Sequence, residues 1–242
     1  AFLQQSLFLV VKRGVETYLE RMDLQTGLLD DNSDYVTHLD RRILVTGDGT
    51  NSPGGGSTIY LTNTARPDYN LTEEEQAAVK VVSTDGKVMS IASTTVDSIT
   101  LEEEFAADDK FYIGLPYTMR YELTKPTLKQ VNQQGSVETI ATGRHQLRYM
   151  TVVYDDSAFF TVKVTNEVAD VDGTTIEYPF SGRFLSTGGF LGQVPSVDGK
   201  FRFPVFAESD AVKIEIENDS PFPSNIQSIQ FEAQYTSRSQ FT

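Results

Sequence analysis

The chain has 242 residues, 39% of them hydrophobic, enough for one large β domain or two small ones with their own cores. It has no cysteine, which excludes disulfides, thiolate-bound zinc and thiol nucleophiles together. Thirty-four acidic residues against 20 basic ones leave a net charge of −14, the reverse of what a general nucleic-acid binder needs.

The first residues read as a strand, Ser6-Leu7-Phe8-Leu9-Val10-Val11, with no initiator Met and no signal-peptide pattern before it. The chain therefore reads as a piece of a longer polypeptide. No apolar run approaches the roughly 18 residues that span a membrane. Leu7 to Lys12 and Glu16 to Met22 flank Arg13-Gly14 and predict a hairpin. Asp30-Asp31-Asn32-Ser33-Asp34 is a turn cluster, since Asp and Asn bond their own backbone. A flexible loop over Gly47 to Ser57 separates the strands Ile43–Val45 and Thr58–Thr62.

Thr72 with Glu75 has the capping-box spacing and predicts one short helix. Val79–Val82 and Lys87–Ile91 lie either side of Asp85-Gly86, a strong hairpin signal. Ile99–Glu103 and Lys110–Ile113 add two strands, and residues 39–115 make a small β-barrel-like unit. From Tyr117 onward about seven longer strands predict a β-sandwich over 116–242. Asp155-Asp156-Ser157 reads as a hairpin turn between Gln146–Tyr154 and Ala158–Thr165. In Val212 to Glu217 the apolar and charged residues alternate, so one face should be buried and the other wet.

Catalytic material is scarce. His38 precedes Asp40 on one strand face, but no nucleophile pairs with it, and a hydrogen-bonded strand residue is the simpler reading. The carboxylates at 102–104, 108–109 and 155–156 are sequence neighbours, and neighbours on a strand point to opposite faces. The acidic loops at 30–34 and 170–173 lack the EF-hand pattern, and the glycines at 54–56 lack a following Lys-Ser/Thr. No catalytic, metal or cofactor residue is assigned, and the chain reads as a non-enzyme. Arg144, His145 and Arg148 form a basic island in an acidic chain. Phe201, Phe203 and Phe206 around Arg202 read either as core or as an exposed anchor cluster.

Several phrases carry a family resemblance. They are Ile113 to Glu122 followed by Lys129-Gln130, then Thr142 to Arg148 with Tyr154 behind it, then Gly199 to Val205, Ile214 to Asn218, and Phe231 to Tyr235 with Ser237-Arg238-Ser239. In this order over roughly 110–242 they resemble the tail tubular (tail-nozzle) proteins of short-tailed bacteriophages. The first hairpin resembles the end of that family's strand-rich repeats, and 39–115 matches only in character. The resemblance implies an all-β virion protein divided as follows. Residues 1–38 form a terminal hairpin closing a propeller-like region, 39–115 an inserted barrel-like domain, and 116–242 a β-sandwich. It also implies a hexameric ring in the full-length protein, contacts with the tail adaptor and tail fibres, and genomic DNA passing through the channel without specific binding. Such a protein is made in the host cytoplasm and works in the phage tail. Arg144, His145, Arg148, Phe201 and Arg202 are then the expected subunit or tail contacts. A carbohydrate- or receptor-binding module of a virion is the alternative, and a virion-associated glycan hydrolase with two converging carboxylates a third.

Overall fold

The computed structural model describes residues 7–13, 16–22, 35–46, 56–61, 70–106, 108–131, 134–139, 143–167, 174–182, 194 and 196–236. The turn cluster at 30–34, the glycine-rich run at 47–55 and the loops at 170–173 and 188–189 lie outside the described residues.

Period-2 alternation makes the chain almost wholly β. Strands β1 (Leu7–Arg13) and β2 (Glu16–Met22) pair antiparallel, with Val10 opposite Leu19. Leu7, Phe8, Leu9, Val10 and Leu19 are all exposed on this ribbon. Two strands cannot bury apolar residues that point to both faces.

The next elements are β3 (Asp40–Thr46), β4 (Gly56–Tyr60), helix α1 (Glu73–Ala78), β5 (Lys80–Ser83), β6 (Val88–Met89), β7 (Ile91–Thr94), β8 (Ser98–Phe105) and β9 (Lys110–Leu115). They build two small antiparallel sheets, ordered β3-β9-β5-β6 and β4-β8-β7. Val81, Ile99, Leu101, Phe111 and Ile113 meet between them, none more than 2% exposed. Helix α1 starts where it does because Thr72 Oγ1 accepts the Glu75 N–H, while the Glu75 carboxylate accepts the Thr72 N–H at 3.0 Å. Gly86, at φ 91°, makes the β5–β6 turn in a conformation that strains any other residue, and a Cβ there would strike Val194.

Strand β9 is buried on both faces. Phe111 and Ile113 enter the core just described, whereas Tyr112 joins Tyr35, Leu39 and Val82 in a second cluster. Val194 and Phe222, from the other end of the sequence, pack on that second cluster. Gly114 lets the start of β3 come close, since a Cβ would stand 2.8 Å from the Asp40 carbonyl oxygen.

The remaining strands are β10 (Met119–Glu122), β11 (Lys129–Val131), β12 (Val137–Thr139), β13 (Arg144–Ser157), β14 (Phe159–Asn166), β15 (Thr175–Ser181), β16 (Val197–Glu208), β17 (Val212–Asn218) and β18 (Asn225–Thr236). β11 and β12 form a hairpin of their own. The others make two antiparallel layers, β10-β17-β14-β15 and β16-β13-β18. Their shared core includes Leu147, Val152, Phe160, Val162, Phe203 and Ile216, all 0–1% exposed.

Asp155-Asp156-Ser157 is not a hairpin turn. β13 pairs with β16 and β18, β14 pairs with β15 and β17, and the chain crosses between layers at this point. Asp156 takes φ 43°, and Ser157 is fully buried. Two bonds pin the corner to the flanking strands, and a third braces it internally. The Asp156 N–H donates to Asp198 at 2.8 Å, and Ser157 Oγ accepts the Asn225 N–H at 2.8 Å and donates to the Asp155 carbonyl at 3.0 Å. Both strands carry one apolar face, and crossing lets the two faces oppose each other. Tyr154 and Phe160 accordingly meet edge-on across the layers at 5.6 Å.

Candidate assembly surfaces

The described residues contain no group of three or more His, Cys, Asp or Glu able to hold a metal. His38 lines a shallow cleft with Tyr117, Met119, Asn218, Ser220 and Ser224. Its Nδ1 lies 3.2 Å from the Tyr117 hydroxyl, and its backbone N–H donates to the Pro221 carbonyl at 2.8 Å. Burial, aided by the Arg42 charge, lowers its pKa and keeps the ring neutral. Asn218, 4% exposed, spends its amide on the Phe222 carbonyl and Ser224 hydroxyl and its oxygen on Ser220. These groups hold the β17–β18 turn against the segment before β3.

The outer face of the β10-β17-β14-β15 layer is a ladder of charge. Glu122 lies directly opposite Glu215 in register, an unfavourable pairing by itself. Lys213 relieves it, 3.3 Å from Glu122 and 3.1 Å from Glu215. Arg120 Nε donates to Glu215 at 2.6 Å and reaches Glu217 at 3.8 Å. Lys163 then joins Glu217 to Glu177. The sequence expectation of a wet face needs correction at Glu215, whose side chain is 7% exposed beneath Arg120 and Lys213. Burial by itself would raise its pKa, but the hydrogen bonds and charges of Arg120 and Lys213 outweigh it and hold the carboxyl below its ordinary value. Lys163 is raised in turn, chiefly by its bond to Glu217.

The basic island lies at the far end of β13, and both of its arginines are already hydrogen-bonded, one to a carboxylate and one to a neutral amide. Arg144 pairs with Glu208 on β16, and Arg148 donates to Gln234 on β18 at 2.7 Å. Arg148 is the extra residue of a bulge, between Leu147 opposite Ala233 and Tyr149 opposite Glu232. The His145 ring packs edge-on against Phe231 at 5.9 Å, with both nitrogens buried and unpaired among the described residues.

On β16 the aromatic cluster divides by parity. Phe203 is 1% exposed, and Phe201 packs against Phe160 and Phe180 at 5.7 and 5.6 Å, so both belong to the core rather than to an exposed anchor. Arg202 faces the other way, 3.8 Å over the Tyr149 ring, and bonds Glu232 at 2.8 Å. Phe206, 59% exposed and at φ 47°, stacks edge-on against Tyr149 at 5.2 Å. Tyr149 and Glu232 escaped the sequence reading because their contact with Arg202 depends on strand register. The separation of Phe206 from Phe201 and Phe203 was available from alternation alone.

The whole chain, residues 1–242, matches the family model of the bacteriophage nozzle protein. Over 250 aligned residues the chain is 24% identical to tail tubular protein gp12 of Escherichia phage T7, covering 98% of this chain and 30% of that protein. The chain thus spans about a third of the length of the curated relative it matches.

Proposed function

The chain belongs to the bacteriophage nozzle protein family, and we propose that it forms part of the wall of a channel through which a short-tailed phage ejects its genome. It is a structural component of the virion tail. The family match over residues 1–242 carries this reading, and it includes residues 39–115, where the sequence phrases gave likeness of character only.

That membership supports a finer reading. The full-length protein, made in the host cytoplasm, closes into a ring of six below a tail adaptor and contacts the tail fibres. It performs no catalysis. DNA passes without specific binding, because a wall with net charge −14 per chain holds phosphate weakly. Residues 1–38 belong with a propeller-like region outside this chain, which would cover the exposed apolar residues of β1 and β2. Residues 39–115 and 116–242 are a barrel-like and a sandwich domain, a division supported by their separate buried clusters. Arg144, His145, Arg148 and Arg202 lie toward a subunit or tail partner, with Phe201 supporting that sheet from beneath.

The smaller unit carries the densest acid, including exposed Glu102 and Glu104, and in this reading it borders the DNA path. Virions bearing Glu102→Lys and Glu104→Lys should eject DNA several-fold more slowly at low salt, with the difference shrinking as salt screens it. Unchanged ejection kinetics at every salt concentration would remove the low-friction channel reading. Cryo-electron microscopy of the variant tails would show directly whether the unit borders the lumen.

A further inference from the structure

The two-layer unit has four strand edges that pair on one side only among the described residues, and three of them resist strand addition. β10 is four residues long and lies between Pro116 and Pro126. Pro179 interrupts β15, and Pro204 interrupts β16. Short edges and prolines are the ordinary means of stopping another chain from extending a sheet. β18 has neither. It is 12 residues long, pairs with β13 along one side, and contains no proline and no lysine. Its single charged residue, Glu232, is engaged by Arg202 at 2.8 Å. Residues 230–234 are exposed throughout.

We propose that the outer edge of β18 receives an extended segment from the 39–115 unit of a second copy of this chain. The inference rests on the ring reading above and names its contact surface. Charge selects the occupant. Copies that each carry −14 repel one another except where acid is scarce. On the sheet face beside residues 230–236 of β18, Arg148 bonds Gln234 and Arg202 on β16 reaches Glu232, while Arg144 and Glu208 cancel each other, which leaves an excess of one positive charge at this end of the strand. The other end, where Gln227 bonds Asp155, is acidic. Residues 39–115 are the most acidic part of the chain, with 13 acidic residues against 6 basic ones. Laying that unit over the arginines is therefore favourable, whereas laying it over another copy's smaller unit is not.

The contact is heterologous, one patch meeting a different patch on the next copy, and such contacts close into a ring when the rotation between copies divides a full turn. Phe206 and Tyr149 beside Arg202 supply residue types that dominate interface energetics. An exposed aromatic ring held at φ 47° adds little to the monomer, and strain of this kind gathers where a partner uses it.

The test uses the full-length protein. Amide hydrogen exchange is measured along β18 before and after ring assembly. Adjacent amides on an edge strand point alternately inward and outward. The expected result is that the alternate, outward amides of residues 228–234, beyond the bulge at Gln227, exchange freely in the unassembled protein and slow at least about tenfold on assembly. For the same reason, one of the two variants Gln230→Pro and Phe231→Pro keeps the β13 ladder and folds. That variant should sediment as a monomer under conditions where the wild type forms rings. Rings formed in wild-type yield by the folded variant, or β18 amides that assembly leaves unchanged, would overturn the proposal. So would a variant that forms rings but fails to join tails, because the edge would then serve a different virion protein. If the wild-type protein itself makes no rings, the ring reading fails first, and this contact fails with it.

Discussion

The smaller unit and the two-layer unit are built from the same alternating strands, yet they treat charge in opposite ways. Residues 39–115 carry 13 acidic and 6 basic residues, whereas residues 116–242 carry 15 and 11. In the smaller unit the acids stand at the surface in runs such as Glu102 to Glu104. In the larger one they are laced to cations from Glu122 through Lys213, Glu215, Arg120, Glu217 and Lys163 to Glu177. One surface remains a source of negative field, and the other is largely self-satisfied. In the channel reading proposed above, the first would be the repelling face toward DNA and the second the rigid frame behind it.

The comparison breaks most sharply at the seam between the units. Tyr112, 2% exposed, packs with Tyr35, Leu39 and Val82 under Phe222, and Arg42 lies 4.9 Å over its ring. Tyr112→Ala should destabilise by about 3–5 kcal/mol, as large-to-small changes at buried aromatics do. It should also split a single urea transition into two, one for each unit. A single transition with the wild-type midpoint would show that the seam carries little.

A smaller effect separates the two surfaces by pH. Glu215 has a folded-state pKa below its ordinary 4.5, so its contribution to stability is present above that value and lost as pH falls through the folded-state value. Arg120→Leu removes the strongest partner and should flatten that acid limb as well as lowering stability at neutral pH. Charge reversal at Glu102 and Glu104 in the smaller unit should leave the limb intact. Thermal melts between pH 3 and 7, a range around the ordinary carboxylate value, test this directly. An unaltered limb in Arg120→Leu would mean that other carboxylates produce it.

The smallest effect is expected at Phe206. Phe206→Gly relieves a left-handed backbone and deletes an exposed ring, so monomer stability should change by less than about 1 kcal/mol in either direction. A larger loss by chemical denaturation would show that the ring packs within the monomer rather than awaiting a partner.

What was legible in the sequence is what neighbouring residues decide. The β1–β2 and β5–β6 hairpins, the Thr72 cap and the alternation of β17 all depend on contacts within a few residues. What was not legible depends on register between distant strands. Glu215 is covered by an arginine 95 positions away, and β13 is flanked by strands that arrive after β14 and β15 have been laid down. The acidic turn at 155–157 has hairpin chemistry, but the apolar faces on either side of it gain more by opposing each other than by lying side by side. Of the candidate site, Arg144, Arg148 and Arg202 were identifiable as residues, while their matched partners Glu208, Gln234 and Glu232 were not.

The pairing of β3 with β9 sets Asp40 opposite Leu115, so the chain enters and leaves the smaller unit side by side. A unit hung from such a stem is portable. It can be lengthened, shortened or exchanged for another without moving the strands of the frame that carries it, because the distance its ends must span stays the same. Only the seam residues, Tyr35, Leu39, Val82 and Tyr112, have to be kept or replaced as a set. A protein built this way can change the surface of that unit while its scaffold stays as it was.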